Sequence, residues 1–364
     1  MHKFFVMKVR IFFLSAAFLL FYVHSLSQKP IRGVWITNVA SEALRGPAKV
    51  KETVDLCKQK GINNLFVVVW NKGKTMYPSE VVKQYIGVEQ DPIYGGFDPI
   101  RAIVEEGHKQ GLKVHAWFEF GFSYDYRDST GLWMKKYPHW ASRDVKGNLL
   151  QKNGFFWWNA FHPEVQQFMK ELVLEVVKKY EVDGVQGDDR LPAMPAEGGY
   201  DSFTRSLYQQ QTGKVVPAQF NEPHFLQWKA DGLSAFGKDL YKSVKSVRRS
   251  CQVSWAPSIY PWSKEQYLQD WPAWVKGKYA DFVMPQLYRY SLEAYEKVLQ
   301  ELSTQVKPKD KKKVFPGVLT SLGDGYRVKP DMLQKMIALN RQYGFNGECF
   351  FYFETLREAH SIYE

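Results

Sequence analysis

The sequence predicts an α/β fold, a (β/α)8 barrel with long βα loops on its C-terminal face. Two observations carry this. From Ile31 onward, a short run rich in Val, Ile, Phe, Trp or Tyr is followed by a loop, a helical stretch and a Gly or charged turn, and the unit recurs eight times. Such alternation implies right-handed crossovers and a parallel sheet. The connectors are also asymmetric, tight from helix to strand and long from strand to helix, as in barrels that carry their sites on one face. An open doubly wound sheet is the alternative. It wants a Gly-rich phosphate loop after its first strand, and Asn38–Gly46 is not one.

The elements follow in order. Ile31–Asn38 is the first strand, and Val50–Lys60 is a helix with Val50, Val54 and Cys57 at helical spacing. Asn63–Trp70 is the second strand, followed by the helix Phe97–Gln110 with an Asp-Pro opening. Leu112–Phe120 leads to Pro163–Tyr180, whose proline suits a helix start. Val182–Asp188 precedes Phe225–Arg249, and Gln252–Ile259 precedes Lys264–Lys278. Asp281–Tyr288 with Leu292–Gln305, Lys313–Thr320 with Pro330–Tyr343, and the strand Gly347–Glu354 complete the series. Three long loops, Asn71–Gly96, Gly121–His162 and Asp189 to about Glu222, fall on the C-terminal face, where barrel active sites are built.

The N-terminus lies outside this pattern. Lys3, Lys8 and Arg10 precede a largely apolar run from Ile11 to Val23, then small and polar residues. This is the layout of a secretory signal, with cleavage expected after Ser27 and no Cys nearby for a lipid anchor. An uncleaved anchor is the rival, but a run of about 13 residues is short for a span that needs about 20. Residues 1–27 are therefore expected to be a signal peptide, residues 28–364 a single barrel domain, and the mature protein secreted or periplasmic, with no membrane span. The net charge is +11, which favours anionic partners. Its densest run, Lys307–Lys313, sits in a tight connector opposite the long loops and is expected to be solvated. No nucleic-acid module interleaves basic and aromatic residues. Cys57, Cys251 and Cys349 lack CxxC spacing and are expected to be small buried hydrophobes.

Side chains alternate along a strand, so parity separates the barrel interior from the helix-facing side. In the third strand Val114, Ala116 and Phe118 form an apolar set, which leaves His115, Trp117 and Glu119 facing inward. The fourth strand likewise sends Gly184, Gln186 and Asp188 inward. In the last strand the apolar set is Cys349, Phe351 and Phe353, so Glu348, Phe350, Tyr352 and Glu354 are expected inside. Glu119, Asp188 and Glu354 would then project at C-terminal strand ends. Neighbouring strands lie about 4.8 Å apart, so Glu119 and Asp188 would couple, one ionised and one holding a proton. Glycoside hydrolysis needs that pairing. Asp189 has the opposite parity and is expected to orient Arg190.

Aromatic residues make up 16% of the chain, and flat rings with polar tips suit sugar faces as well as cores. Trp35, Trp70, Trp117, Tyr288 and Tyr352 near strand ends, with Trp157 and Trp158 in the third loop, are expected to contact substrate, together with Asn38, His115 and Gln286. No HxH or HExxH pattern is present, so neither a metal nor an organic cofactor is expected.

The runs IRGVWITN (31–38), MYPSE (76–80), FDPIRAIVEEGHKQGLKVHAWFEF (97–120), HPEV (162–165), VDGVQGDD (182–189) and DFVMPQLY (281–288) resemble the bacterial glycosyl-hydrolase-like 10 family over about residues 30–356. The resemblance implies a secreted (β/α)8 glycosidase acting on polysaccharide, with bacterial cell-wall glycan as substrate, and places the family's acidic pair at Asp188 and Asp189. The sequence departs from the family pattern twice. Glu119-Phe120 stands where Asn-Pro usually follows VHAWF, and Arg190 stands where an aromatic usually follows the acidic pair. Glu119 as a catalytic acid thus rests on parity alone. The leading expectation is a glycoside hydrolase with Asp188 as one catalytic carboxylate and Glu119 or Glu354 as the other. A glycan-binding barrel without turnover and a metal-dependent sugar hydrolase or deacetylase are the alternatives. The sequence sets no oligomeric state.

Overall fold

The computed structural model describes residues 30–357, 362 and 363. The expected signal peptide lies outside the described residues. Ile31–Glu364 forms one compact unit, and all eight predicted strands are present in it: β1 (Ile31–Ile36), β2 (Asn64–Val68), β3 (Lys113–Phe118), β4 (Gly184–Gly187), β5 (Gln252–Trp255), β6 (Phe282–Val283), β7 (Gly317–Leu319) and β8 (Gly347–Phe351). They form one sheet in the order β6-β5-β4-β3-β2-β1-β8-β7. Every pair in it is parallel. The two edges meet through parallel bridges Val283↔Val314 and Gln286↔Gly317, so the sheet curls round into a barrel.

Helices α1 (Pro47–Gln59), α2 (Pro99–Lys109), α3 (Pro163–Lys179), α4 (Pro223–Val247), α5 (Trp271–Gly277), α6 (Leu292–Gln305) and α7 (Pro330–Gln342) alternate with the strands. Their starts are chemically marked. Asp98 caps α2, His162 caps α3 and Ser291 caps α6, each accepting a backbone N–H of the first turn. The helix expected over Lys264–Lys278 is broken: a short helix ends at Tyr267, Leu268 turns left-handed, and α5 restarts with Pro272 in its first turn, where a missing N–H costs nothing. The short helices Glu80–Ile86, Leu132–Lys136 and Ser202–Thr212 lie inside the loops expected to be long and irregular.

Inside the barrel the side chains stack in layers. Phe66 lies 4.6 Å from the His115 ring and 6.3 Å from Phe282. Above them Trp35 packs on Trp117 and Phe351 at 6.4 and 6.2 Å and donates its indole N–H to Gln186 Oε1 at 2.7 Å. The inward parity expected of β3 and β4 is therefore the observed one. That of β8 is reversed. Cys349 and Phe351 face the axis, while Glu348 turns outward to Arg341 of α7 at 2.8 Å and to Asn340 at 3.4 Å. A carboxylate can face the helices when a helix supplies a cation for it, and hydrophobicity alone does not reveal that. The three cysteines are free and buried. The basic run forms a 3-10 turn, Pro308–Lys313, with no buried residue, ahead of β7. Among the described residues no helix is long and apolar enough to cross a membrane.

Candidate active site

β3 and β4 run side by side, with Trp117 opposite Gln186 and Phe118 opposite Gly187. The next residues of each strand are Glu119 and Asp188, at the C-terminal mouth of the barrel. Arg190 binds them together. Its Nη2 lies 3.1 Å from Asp188 Oδ2 and 3.8 Å from Glu119 Oε1, and its Nη1 lies 2.9 Å from Asp189 Oδ1. Its Nε donates to the Glu119 carbonyl at 2.9 Å. The guanidinium carbon lies 4.7 and 5.2 Å from the ring centroids of Phe155 and Phe120, a contact that favours its charge further. Phe155 reaches it on a three-stranded antiparallel sheet formed inside the third loop by Ser123–Tyr126, Phe155–Trp157 and Gln151–Lys152. This loop docks through Gly121, where a Cβ would stand 2.1 Å from the Arg190 carbonyl oxygen; only glycine fits that approach.

The carboxylates differ in their surroundings. Asp188 is buried, and its Oδ1 accepts from Gln286 Nε2 at 2.8 Å. Burial, with the charge of Asp189 behind it, holds its carboxyl well above the usual aspartate range, against the pull of Arg190. Burial raises Glu119 as well, but Arg190, Asn71 and Thr37 pull it back; Asn71 Nδ2 donates to Glu119 Oε2 at 2.6 Å. Asp189 is the most exposed of the three, with 28% of its side chain accessible against 5% for Asp188 and 12% for Glu119. Burial opposes the charge of Arg190, yet the three carboxylates outweigh it and hold the guanidinium ionised. Tyr288 stays a phenol beside Asp188, kept so by burial and by that carboxylate.

The remaining expected site residues divide sharply. Gln286 and Tyr288 stand with the carboxylates. Glu354 does not: it lies in a 3-10 turn after β8, bonded to Ser41 Oγ at 2.6 Å and Arg357 Nε at 2.7 Å. His115 is wholly buried, bonded to Asn64 at 3.0 Å and stacked on Phe66. Burial drives it down to about 4, so it is a neutral core histidine. Trp35 and Trp117 belong to the barrel core. Trp158 and Trp70 are buried in an aromatic box with Trp133, Trp140 and Phe168. Trp157 is buried against Tyr267, and Tyr352 is buried near Ala40. These rings offer no open face to a sugar. Asn38 is half-buried, its carboxamide oxygen without a partner.

Sequence reasoning missed the open rings. Trp262, in the loop after β5, is 43% exposed and packs 5.4 Å from Tyr267, a neighbour of Asp189. Tyr290, after β6, is 54% exposed and meets Tyr326 edge-on at 4.8 Å. The available signal was position: both sit a few residues past a strand end, in loops shorter than the one that drew attention.

The glycosyl hydrolase-like 10 family matches residues 30–338. The chain belongs to this family. Glycosyl hydrolase DigH of Escherichia coli K12 is 22% identical over 343 residues, covering 85% of this chain and 74% of DigH. Glycosyl hydrolase YngK of Bacillus subtilis strain 168 is 24% identical over 327 residues, covering 79% of this chain and 60% of YngK. Among solved structures, the PgaB (BpsB) glycoside hydrolase domain from Bordetella bronchiseptica superposes with a TM-score of 0.67 at 15% identity, covering 92% of this chain and 100% of that domain. An α-L-fucosidase isoenzyme 2 from Paenibacillus thiaminolyticus gives 0.66 at 16% identity, covering 91% of this chain and 48% of the fucosidase. At these identities the superpositions speak for the fold alone, a (β/α)8 barrel. The two residues expected from the sequence to depart from the family pattern, Glu119 and Arg190, face each other across 3.8 Å and form one ion pair.

Proposed function

We propose that this chain is a glycoside hydrolase that cuts a polysaccharide outside the cytoplasm, with bacterial cell-wall glycan as the favoured substrate. The single observation behind this reading is the unequal pair of carboxylates on Arg190 at the mouth of the barrel. Asp188, held protonated by burial and by Asp189, would give its proton to the leaving glycosidic oxygen. Glu119, raised by burial but less far than Asp188 because Arg190, Asn71 and Thr37 pull against it, would act as base or nucleophile on the anomeric carbon. The shared Arg190 nitrogen, 3.1 Å from Asp188 and 3.8 Å from Glu119, holds the two carboxyls close enough to act on one glycosidic bond; a separation of about 5–5.5 Å would give retention and about 6.5–9.5 Å inversion. Asp189 supplies the charge that keeps Asp188 protonated, and Trp262 with Tyr267 supplies an aromatic wall. Family membership and the barrel support the reaction class. The expected signal peptide and the family resemblance support the compartment and the substrate.

A panel of labelled polysaccharides, including peptidoglycan with and without stem peptides, tests the reading. On a substrate that is turned over, Asp188→Asn should lower the rate by about 10²–10⁴-fold with the fold intact. Glu119→Gln should match it, and the double variant should fall no further. Near wild-type turnover by Asp188→Asn would refute the mechanism. A second reading, glycan binding without turnover, is favoured by one fact: both oxygens of Asp188 are already engaged, by Gln286 and by Arg190. Retained binding with no product from any glycan in the panel would select it.

A further inference from the structure

We propose that His139, His162 and Glu164 form a surface site for a divalent transition metal of zinc type, distinct from the carboxylate cluster. The three residues come from two places in the chain. His139 lies in the third βα loop, in the turn Pro138–Trp140, and His162 and Glu164 open α3. The fold brings one ligand atom of each within 4.8 Å of the others. Zinc bonds imidazole nitrogen and carboxylate oxygen at about 2.0–2.2 Å, so its ligand atoms stand roughly 3–4 Å apart. Small side-chain rotations therefore close the site.

The ligand atoms are already close together. His139 Nε2 lies 3.0 Å from Glu164 Oε2. His162 Nδ1 accepts the Glu164 backbone N–H at 3.3 Å, so that nitrogen carries no proton and already points toward the carboxylate's own residue. The two imidazole rings lie 5.5 Å apart. Behind them the buried Trp140 donates its indole N–H to Glu164 Oε2 at 2.8 Å. Outer hydrogen bonds of this kind fix the orientation of a ligating carboxylate. Two imidazoles and one carboxylate suit zinc, nickel or copper rather than calcium or magnesium, which prefer oxygen. Three protein ligands leave a position for water. On binding, the ion takes lone pairs from His139, His162 and Glu164, displaces the Glu164 backbone N–H from His162 Nδ1, and any proton on His139 Nε2 leaves to solvent.

Among the described residues, no hydrogen bond or ion pair joins this trio to Glu119, Asp188 or Asp189. Its consequence is mechanical: an ion here would staple the third loop, which carries Phe155 onto Arg190, to the start of α3. Binding of an ion here is independent of turnover at the carboxylates.

The test is calorimetric titration of the untagged, chelator-stripped protein with zinc chloride in a non-coordinating buffer. One ion per chain should bind at about micromolar concentration, with a rise in melting temperature that grows with zinc. Quenching of indole fluorescence by copper should report the ion beside Trp140. His139→Ala removes an exposed ligand, and His162→Asn keeps an oxygen to cap α3 while removing the nitrogen. Each should weaken binding about tenfold or more and abolish the thermal shift, whereas His224→Ala should change neither. Absence of binding at millimolar zinc, or wild-type affinity in His139→Ala and in His162→Asn, would overturn the site.

Discussion

Asp188 is 3% exposed, with Asp189 and Glu119 beside it and a single guanidinium among the three. Its carboxyl binds a proton more tightly in the folded state than in the unfolded chain, because burial and Asp189 oppose the charge. Folding therefore takes up a proton between the two affinities, and stability falls as pH rises from the ordinary aspartate range toward the raised value. Asp188→Asn removes that cost. It should stabilise the fold at about pH 8 and by less at about pH 5, as measured by denaturant unfolding at both pH values. A variant less stable than wild type at pH 8 would show that Arg190 dominates and that the aspartate is a structural anion. Asp188 was legible in the sequence because alternation in β3 and β4 is unambiguous. Glu354 was misplaced because β8 carries apolar residues on its axial side and a paired Glu348 on the other. The partner of that carboxylate, Arg341, comes from the preceding helix α7, where strand periodicity is blind.

At the scale of elements, alternation of strands and helices was readable nearly throughout, since each strand is a buried apolar run and most helices have a proline or polar residue at their start. The interiors of the long loops were not. The small sheet of the third loop pairs strands of two to four residues, too short to show a period. The aromatic density there, expected to contact substrate, is buried and continuous with the main core. Trp158 lies 5.0 Å from Trp133, 5.5 Å from Phe168 and 5.6 Å from Trp140, and is fully buried. Trp158→Ala should therefore cost about 3–5 kcal/mol of stability through the cavity it leaves. Trp262→Ala, on an exposed ring, should change stability by less than about 0.5 kcal/mol while weakening glycan binding. Chemical denaturation of both variants separates them, and a Trp158→Ala protein as stable as wild type would return that ring to the list of ligand surfaces.

Taken as a whole, the molecule places its chemistry and its charge at opposite ends: the carboxylates at the C-terminal mouth, and the exposed lysine turn Pro308–Lys313 ahead of β7. The first strand of the barrel begins at Ile31, and Gln28, the expected mature start, is only three residues before it. The cysteines bear on the compartment. Cys57, Cys251 and Cys349 are free and buried, and burial pushes each thiol up, Cys251 to about 11. Thiolate is the species that attacks and oxidises, so three thiols held neutral inside the core would stay unpaired even in the oxidising compartment proposed for this chain. Protein exported by its native host should thus begin near Gln28 and carry three reduced cysteines. These should react with a thiol reagent such as Ellman's only after denaturant opens the core. N-terminal sequencing and thiol titration of the exported fraction decide the matter. An intact Met1 in the membrane fraction would remove the signal peptide from this account, and thiols that react in the native state would show that the barrel opens far more readily than its packing implies.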